Sequence, residues 1–123
     1  MASVTLEELR RELERDQLLL LDVRSPQEFS GAAGYPCDPR QGHIPGARSL
    51  PLDRLLRCRS LEEVRELVGL PEGAEVVAYC HSGNRSATAA ELLAAAGYAA
   101  RNYVGSWHEW SRDPALPAAS TAS

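Results

Sequence analysis

Of the three cysteines in this chain of 123 residues, Cys80 stands where a thiol can be made reactive. It directly follows the apolar run Val76 to Tyr79, which reads as a strand opened by the turn residues Pro71, Glu72 and Gly73. Arg85 then leads into a helix expected from Ser86 to about Ala96, with Gly97 as its stop signal. A strand–loop–helix turn this tight points successive backbone N–H groups at one centre. The helix adds the positive end of its dipole, and Arg85 adds a full charge nearby. Such surroundings lower a cysteine pKa from about 8.5 to about 3.5–7.5, and the thiolate is the nucleophile. The same donors suit an anionic substrate. Cys80 is therefore the candidate catalytic residue, with His81, Ser82, Gly83, Asn84 and Arg85 as candidate substrate-binding residues. Gly83 permits the positive φ or close backbone approach that a loop closing on one atom needs. Ser86 is expected to cap the helix. A buried, inert thiol is the competing reading, but its five polar or flexible neighbours are not a core sequence.

Other chemistry-bearing residues have plainer readings beside the functional one. Asp22 and Arg24 are candidates for supporting the cysteine loop through hydrogen bonds; a structural ion pair or helix cap is favoured over direct bracing. His43, in the turn Gly42 to Gly46, is read as fixing backbone rather than doing chemistry. His81, inside the loop, can steer an anion or face solvent, and both readings stand. Trp107 and Trp110 read as core aromatics, with His108 between them pointing to solvent. Cys37 is either a resolving thiol for Cys80 or a spectator, and the spectator is preferred. Cys58 reads as a thiol at a loop or helix end. No C-x-x-C pair and no His/Cys cluster has zinc spacing, so no metal and no cofactor are expected. Three scattered cysteines do not make a disulfide framework.

These residues need elements to position them. Capping boxes are expected at Thr5/Glu8, Ser25/Glu28, Ser60/Glu63 and Ser106/Glu109, with Pro26 at the first helical position of the second. Apolar residues at helical spacing follow, such as Leu6, Leu9 and Leu13, then Leu61, Val64, Leu67 and Val68. Strands are expected at Leu18 to Val23, Val76 to Tyr79, Ala47 to Leu50 and Arg101 to Val104. Short, uniformly apolar strands suit a sheet covered on both faces, and strand–helix alternation gives a parallel α/β sheet. Function in such sheets collects at the carboxyl ends of strands. Asp22-Val23-Arg24 and the Cys80 loop both lie at such ends.

Composition sets the outer limits. Hydrophobic residues are 44% and charged residues 24%, which suits one globular domain. A net charge of -4 argues against a nucleic-acid partner. No apolar run approaches the roughly 20 residues of a membrane helix. Met1 to Arg15 alternates acid and base without the apolar centre of a secretion signal, so the cytoplasm is the expected location. The domain is expected over 1–113, with 114–123 a flexible tail rich in Ala, Ser and Pro.

The Cys80–Arg85 loop, together with Asp22-Val23-Arg24-Ser25-Pro26-Gln27-Glu28-Phe29 and Gly42-His43-Ile44-Pro45-Gly46-Ala47, resembles the rhodanese (sulfurtransferase) family. Gly105-Ser106-Trp107-His108-Glu109-Trp110 resembles the end of the thiosulfate and mercaptopyruvate sulfurtransferases. The match runs from about Leu18 to Pro117. The resemblance implies a rhodanese-like parallel five-stranded sheet flanked by helices on both faces. It also implies a cysteine that alternates between thiolate and persulfide. By that resemblance Cys80 takes a sulfur from a small anionic donor such as thiosulfate. It passes the sulfur to a thiophilic acceptor: cyanide, a cellular thiol or a protein.

Two other readings accompany this one. A sulfur-carrier or anion-binding module would use the same loop with little turnover. A phosphatase is weaker: the related cell-cycle dual-specificity phosphatases resemble this fold but have a longer loop, whereas Cys80 to Arg85 spans six residues. The loop residues His81, Ser82, Gly83 and Asn84 match neither the basic loops of thiosulfate-type enzymes nor the small ones of mercaptopyruvate-type enzymes. Arg85 stands where the two-domain enzymes usually carry a smaller residue. A single domain implies a shallow, open cleft, and a monomer or weak homodimer. The segment Gly31 to Gln41 either walls that cleft or is a plain surface loop.

Overall fold

The computed structural model describes residues 2–14 and 18–121. In chain order the elements are β1 (Ala2–Val4), α1 (Leu6–Leu13), β2 (Leu19–Asp22), α2 (Pro26–Ser30), β3 (Arg48–Ser49), α3 (Leu52–Leu56), α4 (Leu61–Val68), β4 (Glu75–Tyr79), α5 (Asn84–Ala95), β5 (Ala99–Tyr103) and α6 (Ser106–Trp110). The five strands form one parallel sheet in the order β1-β5-β4-β2-β3. Asp22 lies in register with Tyr79. The two expected functional strand ends are thereby neighbours.

Side chains alternate across a strand, and the sheet is buried on both faces. Leu21, Val76, Ala78 and Cys80 join one apolar cluster with Leu55 of α3, Val64 and Val68 of α4, and Ala89 and Leu93 of α5. Leu20, Val77 and Tyr79 join the other, with Leu9 of α1, Trp107 and Trp110 of α6, and Leu116. Both tryptophans are thus core, as their spacing predicts. The cysteine continues the period of β4 and so falls on the α5 side. No helix among the described residues is long and apolar enough to cross a membrane.

Side-chain capping sets the starts of α1, α2 and α4 but not those of α3, α5 and α6. Thr5/Glu8 and Ser25/Glu28 are complete capping boxes. At Ser60 half of the box forms: its hydroxyl accepts the Glu63 amide, while the Glu63 carboxylate takes the Arg59 amide instead. Ser106/Glu109 is not a box. Gly105 is the cap residue, Ser106 lies inside the helix at φ 55°, and the Glu109 carboxylate accepts the Tyr103 hydroxyl. Ser86 does not cap α5 either; Gly83 holds that position and the helix begins at Asn84. β1 and α3 have no counterpart among the expected elements. β1 is three residues at the sheet edge, and α3 starts at Pro51 with no side-chain cap. Both are too short and too weakly signalled for their periodicity to register.

The described part of the expected tail is tethered to the domain, although most of its side chains are exposed. Leu116 is buried, Trp110 Nε1 donates to the Pro117 carbonyl, and His43 and Ala119 exchange backbone hydrogen bonds. Arg40 is the physical reason. Its guanidinium donates to the carbonyls of Trp110, Ser111, Asp113 and Leu116 at 2.7–3.2 Å. An Ala/Ser/Pro composition does not reveal a fastening that comes from elsewhere in the chain. Ala122 and Ser123 lie outside the described residues.

Candidate active site

The end of β4 delivers Cys80 into a loop fastened on all sides. The Cys80 amide donates to Ser106 Oγ at 3.1 Å, and that hydroxyl donates onward to the Tyr103 carbonyl at 2.8 Å. The amides of Trp107 and His108 donate to the carbonyls of Cys80 and His81, both at 2.9 Å. Asn102 Nδ2 donates to the Gly83 carbonyl at 3.1 Å. Gly83 itself sits at φ 97°, and a Cβ there would lie 2.7 Å from the Val104 carbonyl oxygen. Glycine is required twice over, for its backbone angle and for close approach.

Inside this frame the sulfur is cradled. The Gly83 N–H donates to Cys80 Sγ at 3.1 Å, and the Ser86 hydroxyl donates to it at 3.3 Å. Burial pushes the thiol pKa up. Hydrogen bonds from the Ser86 hydroxyl and from the amides of Ser86, Gly83 and Ser82 outweigh it, and the thiol lies below its usual range. The start of the 12-residue α5 adds its positive end. Cys80 is 1% exposed. The arrangement favours a desolvated thiolate, the species a nucleophile needs.

The other expected site residues divide. Ser82 and Asn84 are exposed at the loop rim. Ser86 reaches the sulfur, although as a donor within the first turn of α5 rather than as its cap. Arg85 pairs with Glu28 through two hydrogen bonds of 2.9 and 3.2 Å. Its charge is shared with a carboxylate and is not delivered whole to the thiol. Burial pushes the Glu28 carboxyl up, but Arg85 and Ser25 hold it below the usual range. His81 turns to the 31–41 segment, stacking on Tyr35 with ring centres 3.7 Å apart and meeting Asp38 at 3.0 Å.

Among the described residues, the side chains of Asp22 and Arg24 bond to each other and to the Gly42 turn rather than to the Cys80 loop. They form a buried pair at 2.7 Å, and Arg24 also donates to the Gly42 carbonyl. Arg24 lies over the rings of Tyr79 and Trp107, at 5.7 and 5.2 Å from their centres. The pair joins the β2 end to the Gly42 turn and backs the residue before Cys80. His43 fixes backbone, with Nδ1 2.7 Å from the Phe29 carbonyl oxygen and its ring stacked on Phe29. Ser106 and Asn102 were not expected at the site. Ser106 was hidden by its resemblance to a helix cap, and a lone polar residue in β5 carries no local signal. Among the described residues, Cys37, Asp38, His81 and His108 come together as potential metal ligands. Their scatter along the chain conceals that meeting from any spacing rule.

The rhodanese-like domain model matches residues 5–113. The chain belongs to the rhodanese-like domain family. It is 32% identical over 123 residues to the thiosulfate sulfurtransferase of Pseudomonas aeruginosa, covering 94% of this chain and 45% of that protein. It is 36% identical over 115 residues to the sulfur carrier protein TtuD of Thermus thermophilus, covering 81% of this chain and 40% of that one. A crystal structure of a probable thiosulfate sulfurtransferase superposes with a TM-score of 0.80 at 47% identity, covering 94% of this chain and 46% of that one. The rhodanese domain therefore spans less than half the length of each of these relatives. The parallel five-stranded sheet with helices on both faces is the rhodanese fold.

Proposed function

We propose that this rhodanese domain transfers sulfur through Cys80. The observation that carries the reading is the convergence of the Gly83 amide and the Ser86 hydroxyl on Cys80 Sγ. In the first half-reaction the thiolate attacks the outer sulfur of a donor such as thiosulfate. A new S–S bond forms, the donor's S–S bond breaks, and sulfite leaves with the electron pair. The terminal persulfide sulfur carries the negative charge, and the donors around the loop hold it. In the second half-reaction an acceptor nucleophile attacks that terminal sulfur, and Cys80 leaves again as a thiolate. Cyanide becomes thiocyanate; a thiol becomes a persulfide. The reading invokes no general base, because the loop's hydrogen bonds hold the Cys80 thiol below its usual range and favour the thiolate. Ser82 and Asn84 at the rim, and Arg85 from its pair with Glu28, are the proposed contacts for the donor's anionic end.

A carrier that loads sulfur without rapid turnover is the second reading, favoured by the relative named as a sulfur carrier protein. Incubation with thiosulfate followed by intact mass measurement separates the two. Addition of one sulfur, and thiocyanate once cyanide is supplied, supports the transferase. Loading with negligible thiocyanate supports the carrier. Cys80→Ser abolishes both signals, whereas Cys37→Ser and Cys58→Ser leave them intact. Loading that survives Cys80→Ser overturns both readings.

A further inference from the structure

Beside the Cys80 loop, four side chains from three parts of the chain meet. Cys37 and Asp38 come from the 31–41 segment, His81 from the loop and His108 from α6. One ligand atom from each lies within 4.8 Å of the other three. His81 Nε2 is 3.0 Å from Asp38 Oδ2, His108 Nδ1 is 3.6 Å from Asp38 Oδ1, and Cys37 Sγ is 3.9 Å from Asp38 Oδ1. Nitrogen, oxygen and sulfur ligands at about 2.0–2.3 Å from one tetrahedral ion stand roughly 3.3–3.8 Å apart. The His81 Nε2–Asp38 Oδ2 separation lies just under that range, and His108 Nδ1 and Cys37 Sγ stand 3.6 and 3.9 Å from the other oxygen of the same carboxylate.

Asp38 supplies an independent sign. Its side chain is 1% exposed, and Oδ1 accepts a hydrogen bond from Arg112 Nη1 at 2.9 Å. Oδ2 is buried and receives no hydrogen bond. His81 Nε2 is close to Oδ2, yet its hydrogen-bonding contact is with Oδ1 at 3.2 Å. A buried carboxylate oxygen without a donor is costly, and a cation beside it removes the cost. Arg112 also donates to the carbonyls of Cys37 and His108. It thus ties the segments together and orients the carboxylate, the role that outer partners play around bound metals. With Cys37 ionised, thiolate and carboxylate against Arg112 leave the cluster one net negative charge. Cys37 is exposed and His108 is 48% exposed, so an ion has a way in.

We propose that Cys37 Sγ, Asp38 Oδ2, His81 Nε2 and His108 Nδ1 bind a divalent transition-metal ion of the zinc type. Thiolate, two imidazoles and one carboxylate suit such a borderline ion, not magnesium or calcium. Binding forms four metal–ligand bonds and releases the Cys37 proton to solvent, with no change of oxidation state. The site rests on this cluster and not on the sulfur-transfer reading.

The test is titration of the chelator-stripped chain with Co²⁺, followed by displacement with Zn²⁺. The expected result is stoichiometric binding with a thiolate-to-cobalt charge-transfer band and the intense visible bands of tetrahedral cobalt. Cys37→Ser removes the charge-transfer band, and His108→Ala weakens binding at least about tenfold. Circular dichroism shows whether these two surface variants stay folded. Cys58→Ser and Cys80→Ser leave the titration unchanged. Absence of those bands at stoichiometric cobalt, their survival in both Cys37→Ser and His108→Ala, or their loss in Cys80→Ser overturns the site.

Discussion

Around the Cys80 sulfur, burial and hydrogen bonding pull in opposite directions, and hydrogen bonding prevails. Ser86→Ala removes one donor, so the thiol pKa rises. Iodoacetamide alkylation at neutral pH is expected to slow by roughly tenfold, the scale of one hydrogen bond to a charged group. The same imbalance makes stability depend on pH. The folded thiol titrates below the unfolded one, whose pKa is about 8.5. Its stabilising contribution is therefore fully present above that pH and is lost as pH falls through the folded value. Urea unfolding of the wild type and Cys80→Ala is expected to show a stability gap that widens with rising pH. A gap independent of pH contradicts a thiolate-favouring cradle. Gly83→Ala meets both the positive φ and the Val104 carbonyl, and should cost about 1–3 kcal/mol by the same measurement.

Elements were legible where one short stretch of chain holds the whole signal. Thr5/Glu8 and Ser25/Glu28 needed four residues each, and both form as read. Ser106/Glu109 carries the same letters, but Ser106 takes the Cys80 amide and Glu109 takes the Tyr103 hydroxyl. Long-range partners won over local capping there. Arg85 lies inside α5 rather than ahead of it, and its partner Glu28 is 57 residues away, so that pairing could not be read from local spacing. The cradle was legible because strand, loop and helix follow one another directly; its fastening by Asn102 and Ser106 was not. Arg40 is the clearest case of a distant tie. Arg40→Ala removes four hydrogen bonds, one to the last residue of α6 and three to the segment after it. The expected loss is about 2–3 kcal/mol, and limited proteolysis should then cut between Asp113 and Thr121 faster than in the wild type.

Across the whole molecule, two apolar clusters sandwich the sheet and set its rigidity. Leu93 is fully buried in the cluster that also holds Cys80. Leu93→Ala is expected to lower stability by about 2–5 kcal/mol, read as a drop in Tm. The order β1-β5-β4-β2-β3 also bears on how the domain is made. Ala2, Ser3 and Val4 pair with Arg101, Asn102 and Tyr103, almost a hundred residues downstream. During synthesis the earliest strand of the domain must wait for the latest before it finds its neighbour, so the sheet's outer edge closes last and the domain stays vulnerable on the ribosome until β5 has emerged.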